Sequence, residues 1–134
     1  MTAKRLGSKE AMSRYVVIAL SIVALCWSAV VPADGVDAGR KVFVAHCQSC
    51  HGVTGPADSK LGPDLTGIYG RRIGEVTSGV HSRALHETNA VWDRESLRKY
   101  LTDAPQAIPG TLMATRITDQ RELEDLLDFL QTLH

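Results

Sequence analysis

The chain has 134 residues, fifteen basic and fifteen acidic, and 44% of them are apolar, which allows one domain with a thin protein core. The charge is unevenly spread: from residue 34 onward eleven Lys and Arg face fourteen Asp and Glu, so that part is mildly acidic at a formal −3. It has no concentrated basic face for phosphate, which argues against nucleic acid as a partner.

Residues 1–14 are polar and basic, with Lys4, Arg5, Lys9 and Arg14 against Glu10, and an apolar run from Val16 to Val31 follows. That is the pattern of an export signal. The run is sixteen residues long, between a signal core of about seven to fifteen and a spanning helix of roughly twenty. Val31-Pro32-Ala33 places a small residue before Asp34, whereas Val23-Ala24-Leu25 lacks the small residue expected before a lipid-modified Cys26. Residues 1–33 are therefore expected to be a signal peptide, with a retained anchor over 15–33 as the alternative. In both cases the basic residues leave 34–134 outside the cytoplasm.

The first predicted helix of the domain runs from about Val36 to Cys47, capped by Asp34 or Asp37, with Gly39, Phe43 and Cys47 at i, i+4 and i+8. Glycine is costly inside a helix, and the expected compensation is close approach of another helix, the carboxy-terminal one. At its end stands Cys47-Gln48-Ser49-Cys50-His51, and C-x-x-C-H is the attachment sequence of c-type haem. On one helical turn two sulfurs three apart reach two porphyrin vinyl groups, and the histidine points its ring at the iron. A thioredoxin-like dithiol would want a strand before it, and a structural zinc site a second cysteine or histidine pair, which the chain lacks. With both cysteines used in this way and Cys26 in the leader, no disulfide remains to be explained.

From Gly52 to Gly79 seven glycines alternate with Leu61, Leu65, Ile68 and Tyr69, the composition of a chain wrapped round a flat ligand rather than of a strand or long helix. A second helix is predicted from Asp93, with Leu97, Tyr100 and Leu101 as its apolar stripe and an end before Pro105. Haem held by one histidine leaves a sixth position. Methionine occurs only at 1, 12 and 113, so after export a thioether ligand is Met113, set in the stiff turn Ile108-Pro109-Gly110-Thr111-Leu112. His46, His81, His86 and His134 are its rivals. The last helix opens at Asp119, paired with Glu122, and Leu123, Leu126, Leu127, Leu130 and Leu133 repeat to the end of the chain.

Taken together, Gly39-x-x-x-Phe43-x-x-x-Cys47-x-x-Cys50-His51, Gly62-Pro63-Asp64-Leu65-x-Gly67-x-x-Gly70-Arg71, Trp92, Tyr100 and Pro109-Gly110-Thr111-x-Met113 strongly resemble the class I cytochromes c over about Gly39 to Leu130. The resemblance implies an all-α fold: three main helices with short helices and glycine-rich loops round one covalent haem, the first and last helices crossing where Gly39 and Phe43 meet Leu126 and Phe129. It makes Cys47 and Cys50 the thioether attachments to haem c, and His51 and Met113 the iron ligands. It gives the Pro63 carbonyl to the free ring N–H of His51, Arg71 and the Trp92 indole to a propionate, and Tyr100 and Thr111 to the surroundings of Met113. The chain departs from the family at Val80, His81, Leu85, Asp64 and Ala104. Where mitochondrial members place lysines it has Pro105, Gln106 and Leu112.

The expected function is a one-electron carrier, not an enzyme. It would be a monomer running between a quinol-oxidising complex or dehydrogenase and an oxidase or reductase, with membrane association only through 15–33. The alternatives are a haem domain that senses a small ligand displacing Met113, and a dedicated haem subunit of one larger complex.

Overall fold

Three amphipathic segments of this chain form the three main helices, and the first two each pack on the last. The computed structural model describes residues 33–134 except 59 and 77, so the predicted leader lies outside the described residues but for Ala33. Helix α1 (Ala33–His46) begins before the predicted start, so Asp34 and Asp37 lie inside it and neither is its cap. Short helices α2 (Arg83–His86) and α4 (Ala104–Ala107) flank α3 (Arg94–Thr102), and α5 (Gln120–Gln131) closes the chain. None of the helices among the described residues is long and apolar enough to cross a membrane.

The caps of α3 and α5 follow the sequence. Asp93 accepts the Ser96 N–H while the Ser96 hydroxyl receives the Asp93 N–H, a reciprocal box. Asp119 accepts the N–H groups of Arg121 and Glu122 at 2.8 and 2.9 Å. Helix α5 ends at Gln131, so Leu133 lies beyond it; its carbonyl accepts the Gly67 N–H at 2.7 Å instead.

Helices α1 and α5 make the most extensive helix pairing. A Cβ built on Gly39 would lie 1.9 Å from the Asp125 carbonyl oxygen and 2.7 Å from Phe129 Cβ, so only glycine permits the crossing. One turn on, the Phe43 and Phe129 rings pack with centroids 5.5 Å apart, and the Arg40 guanidinium lies 5.2 Å from the centre of the Phe129 ring. Leu123, Leu126, Leu127 and Leu130 are buried as their spacing predicts. Between α1 and α2 the chain is loop but for one 3-10 turn, Pro56–Asp58, and is tied by bonds such as Gly62 N–H to the Cys50 carbonyl, Leu65 N–H to Gly52 and Val80 N–H to Leu61. One antiparallel bridge, Arg72 with Val91, is the strand-like pairing among the described residues.

An ion cluster holds α3 on α5: Arg94 pairs with Glu124 and Asp128 at 2.8 and 2.7 Å, and Arg98 with Glu124 at 2.8 Å. These two guanidiniums hold the Glu124 carboxyl down at about 2, Arg98 first and Arg94 second. A lowered carboxyl stabilises the fold above its ordinary value and loses that contribution on protonation. Each such half-exposed pair is worth at most about 1 kcal/mol. Glu124→Gln should therefore lower the urea midpoint slightly at pH 7, and the difference should shrink from about pH 4.5 and vanish near pH 2.

Candidate functional site

The attachment run lies just beyond α1, in a turn that continues its hydrogen bonding: Cys47 N–H reaches the Phe43 carbonyl at 2.8 Å and His51 N–H the Cys47 carbonyl at 2.9 Å. Cys47, Cys50 and His51 thus share one turn, as their spacing requires, on a turn outside the helix itself. All three open on a cavity of about 420 Å³, walled by Leu65 and Ile68 of the glycine loop, Leu97 and Leu101 of α3, and Leu126 and Leu130 of α5. Burial, then the neighbouring Cys50, pushes the Cys47 thiol up to about 11, so this position favours an uncharged sulfur, which is what a thioether is.

On the loop side, Pro63 is brought to His51. The His51 Nδ1 lies 2.8 Å from the Pro63 carbonyl oxygen, leaving Nε2 for a ligand. The loop can come this near because residue 62 is glycine: a Cβ there would sit 2.5 Å from His51 Cε1. Gly79 repeats the arrangement one layer out, where a Cβ would lie 2.5 Å from the Gly62 backbone.

Met113 lines the same cavity, half-buried against the core. Its turn is fixed by Gly110 at φ +88° and by Thr111 N–H to the Ile108 carbonyl at 3.1 Å. The Thr111 hydroxyl joins Tyr100 to this turn: its Oγ1 lies 2.5 Å from the Tyr100 hydroxyl and accepts the Met113 N–H at 3.3 Å. Burial raises the Tyr100 phenol, and either hydroxyl of the pair can be the donor.

Arg71 and Trp92 are neighbours across the bridge, Trp92 N–H donating to the Arg71 carbonyl at 2.8 Å, and both line the cavity. The Arg71 guanidinium donates to the carbonyls of Asp64 and Thr66, while the indole N–H of Trp92, a residue 7% exposed, donates to no acceptor among the described residues. His81 also lines the cavity, with its ring 5.7 Å from that of His86. His46 lines it as well; His86 and His134 do not.

All nine residues singled out from sequence are thus brought round one chamber, Thr111 through its contacts with Tyr100 and Met113. The sequence did not reveal that Ser82 is buried against it, capping α2 through the Leu85 N–H at 3.4 Å, nor that Leu61 and Val80 join Leu112 in an exposed rim. The rim residues sit in loops, where apolar periodicity gives no signal.

The chamber fits haem c. It is apolar, with two free thiols and an imidazole on one turn, a backbone cradle that tolerates only glycine at 62, and the Trp92 indole and Arg71 among its lining residues. The cytochrome c family profile matches residues 36–134. The chain is 36% identical over 102 residues to cytochrome c of Guizotia abyssinica, an alignment covering 75% of this chain and 91% of that protein. It is 32% identical over 121 residues to cytochrome c2 of Blastochloris viridis, covering 88% and 92% respectively. Among solved structures, cytochrome cH from Methylobacterium extorquens superposes with a TM-score of 0.65 at 31% identity, over 72% of this chain and 97% of that one. Sharing about a third of its residues with these proteins over nearly their whole length, and their helical fold as well, the chain belongs to the class I cytochrome c family, electron-transfer proteins rather than enzymes, and binds haem c covalently through Cys47 and Cys50.

Proposed function

We propose that this cytochrome is a periplasmic one-electron shuttle, exported by residues 1–33 and cleaved after Ala33, with His51 and Met113 as its iron ligands. It would take electrons as a monomer from a quinol-oxidising complex or a dehydrogenase and pass them to an oxidase or reductase. The single observation that carries this reading is the paired support inside one cavity: Pro63 holding the His51 ring and Thr111 holding the Met113 turn.

Haem c, when bound, supplies the redox-active iron. The residues supply everything else. Pro63 fixes the imidazole's orientation and, by drawing on its Nδ1 proton, its electron donation. Tyr100, Thr111 and Gly110 hold the methionine turn in one conformation, so little would rearrange when an electron arrives or leaves. Leu65, Ile68, Leu97 and Leu126 keep water out, which together with a thioether favours a high potential. Arg71 and Trp92 offer donors to a propionate whose burial would otherwise be costly.

A turn held this firmly should not yield its methionine. Carbon monoxide added to the reduced holoprotein should leave the visible spectrum unchanged, and rapid carbonyl formation would replace the shuttle with a ligand sensor.

Partners would meet the apolar rim of the cavity, where Leu61, Val80 and Leu112 are 69%, 58% and 71% exposed. Lys60 stands beside it but turns its ammonium to the Gln48 carbonyl at 2.5 Å. Docking should accordingly be only weakly salt-dependent: electron exchange with the native acceptor should change less than about threefold over a tenfold rise in salt, against the roughly 10- to 1000-fold that electrostatic steering produces. The same rim favours, as a second reading, permanent seating in one larger complex, which would appear as a partner that stays bound through purification.

A further inference from the structure

We propose that Asp64 sets the reduction potential of this cytochrome by acting as a buried negative charge beside the His51 side of the cavity. Asp64 is 1% exposed and is the buried carboxylate among the described residues. Its charge is met by backbone amides: Oδ1 accepts the Thr66 N–H at 2.9 Å and Oδ2 the Gly55 N–H at 3.2 Å. It takes part in no ion pair among the described residues. The two cations of this loop on either side of it turn elsewhere: Lys60 directs its ammonium at the Gln48 carbonyl, and Arg71 its guanidinium at the main-chain carbonyls of Asp64 and Thr66. The carboxylate thus has hydrogen-bond partners but no salt bridge among the described residues.

Its place in the chain makes that charge matter. Asp64 follows directly on Pro63, whose carbonyl oxygen lies 2.8 Å from the His51 ring. A charge removed from water is screened far less than one on the surface, so its field reaches across the cavity wall. Oxidised iron carries one more positive charge than reduced iron. A fixed anion therefore stabilises the oxidised state and lowers the potential, opposing the upward pull of a thioether and a dry cavity. The bland alternative is a purely structural role, in which Asp64 staples residues 55 and 66 as a turn former.

The two roles predict opposite signs. Losing a staple would loosen the loop and admit water, which lowers the potential; losing a charge raises it. The inference rests on His51 and Met113 being the ligands. In Asp64→Asn holoprotein, potentiometric titration at pH 7 should show a raised midpoint, with the reduced-to-oxidised ratio at a fixed ambient potential rising about three- to tenfold, tenfold being 59 mV. A rise with an unchanged low-spin spectrum supports the proposal, and an unchanged or lowered midpoint with that spectrum intact overturns it. Loss of the low-spin spectrum in the unmutated holoprotein would instead sink the ligand assignment. Should Asp64→Asn yield no holoprotein, Thr54→Lys places a cation at an exposed position next to Gly55. At low ionic strength it should raise the midpoint by a smaller step that salt abolishes, and the absence of that step overturns the proposal.

Discussion

Replacing Met113 with alanine should abolish the weak red charge-transfer band of the oxidised protein and lower its reduction potential by a sizeable part of the roughly 0.8 V over which axial ligands set haem potentials. The substitution removes the methionine thioether that lines the cavity while leaving its supports, Tyr100, Thr111 and Gly110, in place. The protein should therefore stay folded with haem still bonded through sulfur, and acid-acetone should still fail to strip the pigment. The vacated coordination position should bind carbon monoxide in the reduced state within seconds. A spectrum unchanged by Met113→Ala would mean that another side chain, most directly His81 in the same cavity, supplies the second ligand.

Gly39→Ala tests the helix crossing with a sign that opposes propensity. In a free helix interior this change gains about 1 kcal/mol. Here the new methyl would lie 1.9 Å from the Asp125 carbonyl oxygen and 2.5 Å from its carbon, both main-chain atoms that move only if α5 moves. Overpacking costs typically 1–3 kcal/mol, and with a backbone obstruction the net loss should be about 3 kcal/mol or more. Against a total stability of about 5–15 kcal/mol, that should lower the denaturant midpoint sharply and reduce the yield of coloured protein. A variant as stable as the parent would show that α1 and α5 do not meet so closely.

The sequence made legible whatever is written in periodicity or in a fixed spacing. The stripe of Leu123, Leu126, Leu127 and Leu130, the Asp93 cap and the Cys47 to His51 turn all stand where their patterns put them. Gly39 was readable because a glycine inside a strong helix needs a reason, and Asp125 supplies it. Helices α2 and α4 were expected only as unplaced short helices, since four residues give no period; Ser82 and Asp103, which cap them, are ordinary loop residues in the sequence. The cradle formed by Gly62 against His51 and Gly79 against Gly62 is tertiary, and no local pattern announces it. The burial of Asp64 had a faint local sign: an aspartate two residues before Thr66 is the sequence of an Asx turn, and the Thr66 N–H closes it. The ion cluster of Arg94, Arg98, Glu124 and Asp128 joins positions about thirty residues apart and was invisible to spacing.

The pairing of α1 with α5 imposes an order of events on biosynthesis. A polypeptide made from its amino end presents Cys47 and Cys50 before residues 120–131 exist to pack on α1. Until α5 is delivered, α1 lacks the helix it docks on and the two thiols remain open to modification. The fold thereby leaves an interval in which the cofactor can be joined to an accessible chain, and the packing of α5 on α1 shuts it.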